Sequence, residues 1–213
     1  MTAPFRDRAH AGRELAKMLE EFRGTAALVL AIPAGGVPVA AAIATDLGLP
    51  LDVAPVSKVL YPWTTESGYG AVAFDGSVWL DEGRLAGHGL KPEQVERAVA
   101  AARTKVERRL ARLRGPRSPL ALEGRPVIAV DDGIAGGATM RAAVAALRRA
   151  GATSVVVAVP TAHKSALDAI SKLADAAYCA NVRSGVSFAV ADAYAQWRDL
   201  GDDEIEALLQ NRA

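Results

Sequence analysis

The stretch from Pro126 to Gly151 constrains this chain most. It reads Pro-Val-Ile-Ala-Val-Asp-Asp-Gly-Ile-Ala-Gly-Gly-Ala-Thr, then Met140 to Gly151. Residues 127–130 form a short apolar run rich in β-branched side chains, which predicts a strand covered on both faces. Asp131 and Asp132 stand where that strand runs out. Gly133, Gly136 and Gly137 let the backbone turn sharply and approach a ligand closely. Thr139 is placed to cap the helix that follows, and Gly151 to end it.

That layout carries a specific chemistry. In an open α/β sheet, ligands bind beyond the carboxyl ends of the strands. A helix N-terminus offers unpaired N–H groups and the positive end of a dipole, so it attracts phosphate. Two carboxylates just before it can accept hydrogen bonds from a pair of hydroxyls. A phosphorylated ribose presents both partners. An acidic strand end with a glycine loop also occurs in receiver domains, methyltransferases and small hydrolases, so the loop alone would not choose among them.

Residues 127–139 resemble the phosphoribosyl pyrophosphate (PRPP) motif of type I phosphoribosyltransferases: hydrophobics, two acids, Gly-Ile-Ala, then a Thr-Gly-x-Thr segment. The resemblance implies that Asp131 and Asp132 hold the ribose hydroxyls. It places Gly133 and Ile134 in the same loop, with Ala135, Gly136, Gly137, Ala138 and Thr139 cradling the 5′-phosphate. Gly136 departs from the motif, which has Thr there, so one hydroxyl donor is missing.

Residues 26–32 read as a second buried strand, followed by Pro33-Ala34-Gly35-Gly36 and a helix over residues 37–47 stopped at Gly48. A strand again feeds a glycine turn at a helix start, a second place for an anion. By resemblance this loop takes pyrophosphate through Ala34, Gly35 and Gly36. A group of bacterial and archaeal phosphoribosyltransferase-like proteins of unassigned substrate has Pro-Arg-Gly-Gly here, so Ala34 replaces an arginine suited to a diphosphate. Residues 50–58 read as a third strand. The same group ends it with Arg-Lys; this chain has Ser57 and Lys58. Lys58 is thus the candidate catalytic cation at the pyrophosphate, or else a lysine in solvent.

The remaining segments follow in order. Residues 5–22 predict an amphipathic helix with Asp7 as N-cap, and Phe5-Arg-Asp-Arg8 resembles the opening of the same group. Residues 60–70 are aromatic and polar, and residues 60–80 as a whole read as a mobile loop plus hairpin. Tyr61, Trp63 and Glu66 are candidates for base stacking or closure, and Asp75-Gly76 for the turn. Residues 91–114 predict a long helix with an apolar stripe at Val95, Val99, Ala102, Val106, Leu110 and Leu113. Its other face is cationic. Arg108 or Arg109 either reaches the pyrophosphate loop or faces solvent. Residues 115–124 form a connector. Further strands are expected over residues 154–160 and 176–181, and helices over 162–173 and 202–209. His163 faces the site or sits in solvent. Residues 183–213, with Phe188, Tyr194 and Trp197, form either a hood, as the resemblance implies, or a C-terminal cover over a sheet edge.

Composition excludes several classes. Net charge is +1, giving no global attraction to nucleic acid or membrane. Cys179 is the only cysteine, so no internal disulfide forms, and no acid–base partner marks it as a nucleophile. There is no secretory segment, no run long enough to span a bilayer and no Cys/His metal cluster, and a cytoplasmic protein is expected.

The expected fold is a single α/β domain over residues 1–213: a mainly parallel twisted sheet flanked by helices, with a small hood. The resemblance implies transfer of 5-phosphoribosyl from PRPP to a nitrogenous, nucleobase-like molecule, with Mg2+ as cofactor and a homodimer in which Trp63 and Trp79 mark an interface. Because Ala34, Ser57 and Gly136 remove phosphate contacts, a regulatory phosphoribosyl- or nucleotide-binding protein without turnover is the alternative. A small hydrolase acting on a phosphorylated sugar comes last, for want of a nucleophile.

Overall fold

The structure, a computed structural model, describes residues 3–65, 67–115, 120–185 and 188–210. The apolar run around Val127 is strand β6 (Pro126–Val130), the centre of a five-stranded parallel sheet. The order is β2–β1–β6–β7–β8, with β1 at Leu28–Ala31, β2 at Leu51–Val53, β7 at Ser154–His163 and β8 at Ala176–Arg183. Val29 pairs with Ile128, and Ile128 with Val156. Because strand side chains alternate, these strands feed two cores. Leu30, Val127, Ala129 and Val157 face one side, beneath α5 (Ala138–Arg149) and α6 (Lys164–Ser171). Val29, Ala31, Ile128 and Val130 face the other, beneath α1 (Arg8–Met18), α2 (Gly36–Leu47) and α7 (Asp202–Gln210). The expected parallel sheet with helices on both faces is present.

The third expected strand is in fact two. Residues 51–53 join the main sheet as β2, whereas β3 (Val56–Leu60) starts a separate antiparallel sheet with β4 (Gly68–Ala73) and β5 (Val78–Leu80). Pro55 stands at the break. The last ladder bond before it runs from the Ala54 N–H to the Ala31 carbonyl at 2.9 Å, and a proline, which has no N–H, suits the outer side of this edge strand. The turn at Asp75-Gly76 joins β4 to β5, with Gly76 at φ 80°. Trp79 pairs across from Ala71 and, partly buried, packs against the core and Arg141. Trp63 is exposed and stacks on Tyr61.

A short helix, α3 (Glu82–His88), has no counterpart in the sequence expectations; Asp81 caps it by accepting from the Arg84 N–H. The long helix α4 spans Pro92–Arg114. Its Ala102 and Val106 pack on Val59, Tyr61, Tyr69 and Val72 of the small sheet. The connector after it falls partly on residues 116–119, outside the described residues.

Three boundaries differ from expectation. Asp7 caps α1, but that helix stops at Met18 and a separate 3-10 turn covers Glu20–Phe22. Thr139 does not cap α5. Gly137 does, in the left-handed region at φ 80°, and Thr139 lies inside the first turn. Residues 162 and 163 belong to β7 rather than to a helix, because Ala162 and His163 pair with Val182 and Arg183 of an equally lengthened β8.

Candidate functional site

The cleft lies at the carboxyl ends of β1 and β6, where the small sheet and α4 lean over the main sheet. It encloses about 590 Å³. Asp131 and Asp132 form its floor, the loop Gly133 to Thr139 one side, and Ala34, Gly35 and Lys58 another. Among the sequence candidates for phosphate and ribose contacts, Gly36 alone does not line it. Its N–H donates to the Ile32 carbonyl at 3.1 Å, and a Cβ there would come within 2.6 Å of the Val130 carbonyl oxygen. Gly36 therefore serves close packing of α2 on the central strand.

The loop over residues 133–139 is held by its neighbour strand. Ile134 continues the sheet, its N–H donating to Thr161 at 2.9 Å and its carbonyl accepting from His163 at 2.9 Å. Beyond it, among the described residues, no backbone hydrogen bond uses the N–H groups of residues 135–139. That is a ready anion cradle at the start of a helix. Gly133 is needed for space, since a Cβ would meet Val190 at 2.6 Å.

The two acids differ in their surroundings. Asp132 accepts from Arg8 Nε at 2.9 Å, with both side chains largely buried, at 9% and 15% exposure. Arg8 also donates to the Arg198 carbonyl and lies 3.8 Å over the Trp197 ring. Tyr194 donates its hydroxyl to the Asp132 carbonyl at 2.6 Å. Burial raises the Asp132 pKa while the Arg8 charge pulls it back. Asp131 has no ion pair among the described residues. Burial first, and the Asp132 charge second, hold its carboxyl well above the usual range. Burial likewise pushes the Tyr194 phenol up.

Gly35 sets the spacing of loop and acid, because a Cβ there would overlap the Asp132 carboxylate. Arg8 fixes that carboxylate, so it cannot swing aside cheaply. Gly35→Ala is expected to break the Arg8–Asp132 pair and destabilise the protein by about 1–3 kcal/mol, as overpacking does. Thermal denaturation checks this; an unchanged midpoint would refute the close fit.

Three further cations join Lys58 at the cleft, and none of the three belongs to a motif. Arg84 of α3 lies over the loop of residues 133–139: its Nη2 is 3.5 Å from where a Gly136 Cβ would stand, and its Nη1 donates to the Gly68 carbonyl. Arg109 of α4 donates to the Pro33 carbonyl at 3.1 Å, and Lys105 lines the same wall. Arg108 does not line the cleft. Arg8 falls in the opening at residues 5–8 that carries the resemblance, but that resemblance does not point to its pairing with Asp132.

Other candidates fall elsewhere. Tyr61 and Trp63 lie outside the cleft, and Tyr61 lines a neighbouring groove against α4. Glu66 lies outside the described residues. His163 bonds Ser165 and the Gly185 carbonyl, away from the cleft. Phe188 packs on His163 and Arg183. Burial raises the Cys179 thiol above its usual range, the opposite of an activated nucleophile.

Fold and cleft define an open parallel α/β protein whose site sits at the carboxyl ends of its strands, between two glycine loops. A family model described as phosphoribosyl transferase domain matches residues 7–193, and the chain belongs to that family. Two Mycobacterium tuberculosis proteins, of strains CDC 1551 and H37Rv, are each 37% identical over 205 residues. Both bear the name "putative phosphoribosyl transferase". The match takes in 96% of this chain but 46% of those proteins, so the chain spans about half their length. The crystal structure of TT1426 from Thermus thermophilus is 37% identical with a TM-score of 0.79, covering 100% of both chains. Among the described residues, no helix is long and apolar enough to cross a membrane.

Proposed function

We propose that this protein transfers the 5-phosphoribosyl group from PRPP to a nitrogenous base and releases pyrophosphate. The observation that carries this reading is the acid pair Asp131–Asp132 set between two glycine loops, one of them with free N–H groups at a helix start. Residues 135–139 would take the 5′-phosphate, with Arg84 above Gly136 supplying a cation where the motif's hydroxyl is absent. Asp131 and Asp132 would accept from the ribose hydroxyls.

In the reaction the bond from ribose C1 to the diphosphate oxygen breaks, and its electron pair leaves on diphosphate. A lone pair of the base nitrogen forms the new N–C1 bond, and the displaced N–H proton passes to water. The protein contributes positioning and charge around a cationic carbon. Among the described residues no group of three or more His, Cys, Asp or Glu side chains is arranged to hold a metal. The donors present fit Mg2+ shared with substrate oxygens, with Asp131 as the carboxylate free to approach it. When bound, Mg2+ would offset the charge of the diphosphate leaving group.

The binding-only alternative rests on the missing groups at Ala34, Ser57 and Gly136. Arg84 and Arg109 stand beside two of those positions, which supports turnover over binding alone. Calorimetric titration with PRPP, with and without Mg2+, followed by a screen of purines and pyrimidines for released pyrophosphate, tests the proposal. Saturable, Mg2+-dependent binding with turnover is expected. Binding of ribose 5-phosphate without any binding of PRPP would overturn it.

A further inference from the structure

We propose that Lys105 and Arg109 of helix α4, with Lys58, form the diphosphate-binding wall of the cleft, in place of an arginine in the Pro33–Gly36 loop. This rests on the PRPP reading above.

The loop itself has no cation. Ala34 follows Pro33, and its side chain is a methyl group. The space around it is served from outside. Val106 packs inward on the small sheet and Leu113 on the second core, and Arg109 falls between them on the inward seam of α4. An arginine on a buried seam is costly unless something requires it there. Arg109 spends one donor on the Pro33 carbonyl at 3.1 Å. A guanidinium has five N–H donors in a planar fork, so the rest remain for a ligand. Lys105, one helical turn earlier, shares the face. Lys58 reaches the same cleft from β3.

Lys105 and Arg109 form no ion pair among the described residues, whereas the neighbouring Arg112 and Arg114 do. The acid that bears on both is Asp202, at the start of α7. Burial, and the proximity of Arg109, Arg108 and Lys58, lower the Lys105 pKa. Burial, with Arg108, does the same to Arg109. Lys105 and Arg109 thus stand close together, with Arg109 partly buried, and like charges set side by side are unfavourable in the empty protein. A multiply charged anion removes that repulsion and accepts the unused donors. Diphosphate is an anion of that kind. It would meet Arg109 beside the Pro33 loop while the ribose lies on Asp131 and Asp132.

The test separates the two phosphate ends of the ligand. Inorganic pyrophosphate with Mg2+ and, separately, ribose 5-phosphate are titrated into the parent protein, Arg109→Gln, Lys105→Gln and the double variant Ala34→Arg/Arg109→Gln. Arg109→Gln is expected to weaken pyrophosphate binding about 10–100-fold while leaving ribose 5-phosphate unchanged. Lys105→Gln is expected to act in the same direction with a smaller loss. Returning an arginine to the loop in the double variant should restore pyrophosphate binding. A purely structural role for Arg109 would lower both ligands together and would not be rescued at position 34; that result overturns the inference. So does unchanged pyrophosphate binding in Arg109→Gln. If the parent binds ribose 5-phosphate but not pyrophosphate, the inference fails and the ribose-phosphate cradle stands. If the parent binds neither, the PRPP reading fails, and this inference with it.

Discussion

Asp132→Asn is expected to destabilise the protein by about 3 kcal/mol, because it leaves the Arg8 charge largely buried without its counter-charge. The lower end of the usual range applies, since Arg8 keeps the Arg198 carbonyl and the Trp197 ring. For a chain of this length the melting midpoint should fall by roughly 6–12 °C. Differential scanning calorimetry decides the matter. A fall of under a degree would mean that the Arg8–Asp132 pair does not hold the cleft floor together. Ribose 5-phosphate affinity should fall as well, because the amide is uncharged and no longer held by Arg8.

Asp131→Asn is expected to do the reverse to stability. The native carboxyl titrates well above 3.8, so the folded state holds its proton over a range where the unfolded chain has lost it. Stability contributed by that proton is full below pH 3.8 and drains away as pH rises through the raised native value. Asparagine avoids that loss and still accepts the Asp132 N–H, a bond of 2.9 Å in the parent. The variant should match the parent at pH near 3.5 and exceed it by about 0.5–2 kcal/mol at neutral pH, as expected when a strained site is relaxed. Its ribose 5-phosphate binding should drop at least about tenfold, through loss of a charge-assisted acceptor. Unchanged affinity in a calorimetric titration would remove Asp131 from the site. Neighbouring Asp→Asn changes with opposite effects on melting would separate the two acids by role, where the sequence alone shows them as equals.

Much of the frame is legible because it is written locally. The run 127–130, the acids after it and the glycines beyond them are consecutive, so period and turn chemistry suffice to place a strand, a loop and a helix. The same holds for Asp7 as a cap and for the turn at Gly76. The break at Pro55 is also visible as a proline within an apolar run, yet the residues on either side of it look like one strand. The change from one sheet to the other leaves no mark except that proline. Arg84 and Arg109 are harder. Arg84 sits on a seven-residue helix with few apolar positions to reveal it, and Arg109 is one of many cations on α4. What singles Arg109 out is its position in phase with Val106 and Leu113, a spacing that the sequence does display. For Arg8 the sign is the resemblance of the opening at residues 5–8, which does not name its partner. Its partner is far along the chain, and no local pattern encodes a pairing of that kind.

That pairing has a bearing on the order in which the protein is made. Arg8 and Asp132 are 124 positions apart, and Tyr194 lies another 62 beyond Asp132. Both contacts close on one residue, from opposite directions along the chain. Contacts of such long span form late, since each must overcome the entropy of a long loop before it is rewarded. A nascent chain that has reached the end of β8 can already build the central strand and the glycine loop, but Asp132 then lacks Tyr194 and the Trp197 ring that backs Arg8. The acid pair reaches its working geometry only when the last segment docks. Truncation before residue 194 should therefore be felt at the centre of the cleft rather than at the edge of the molecule.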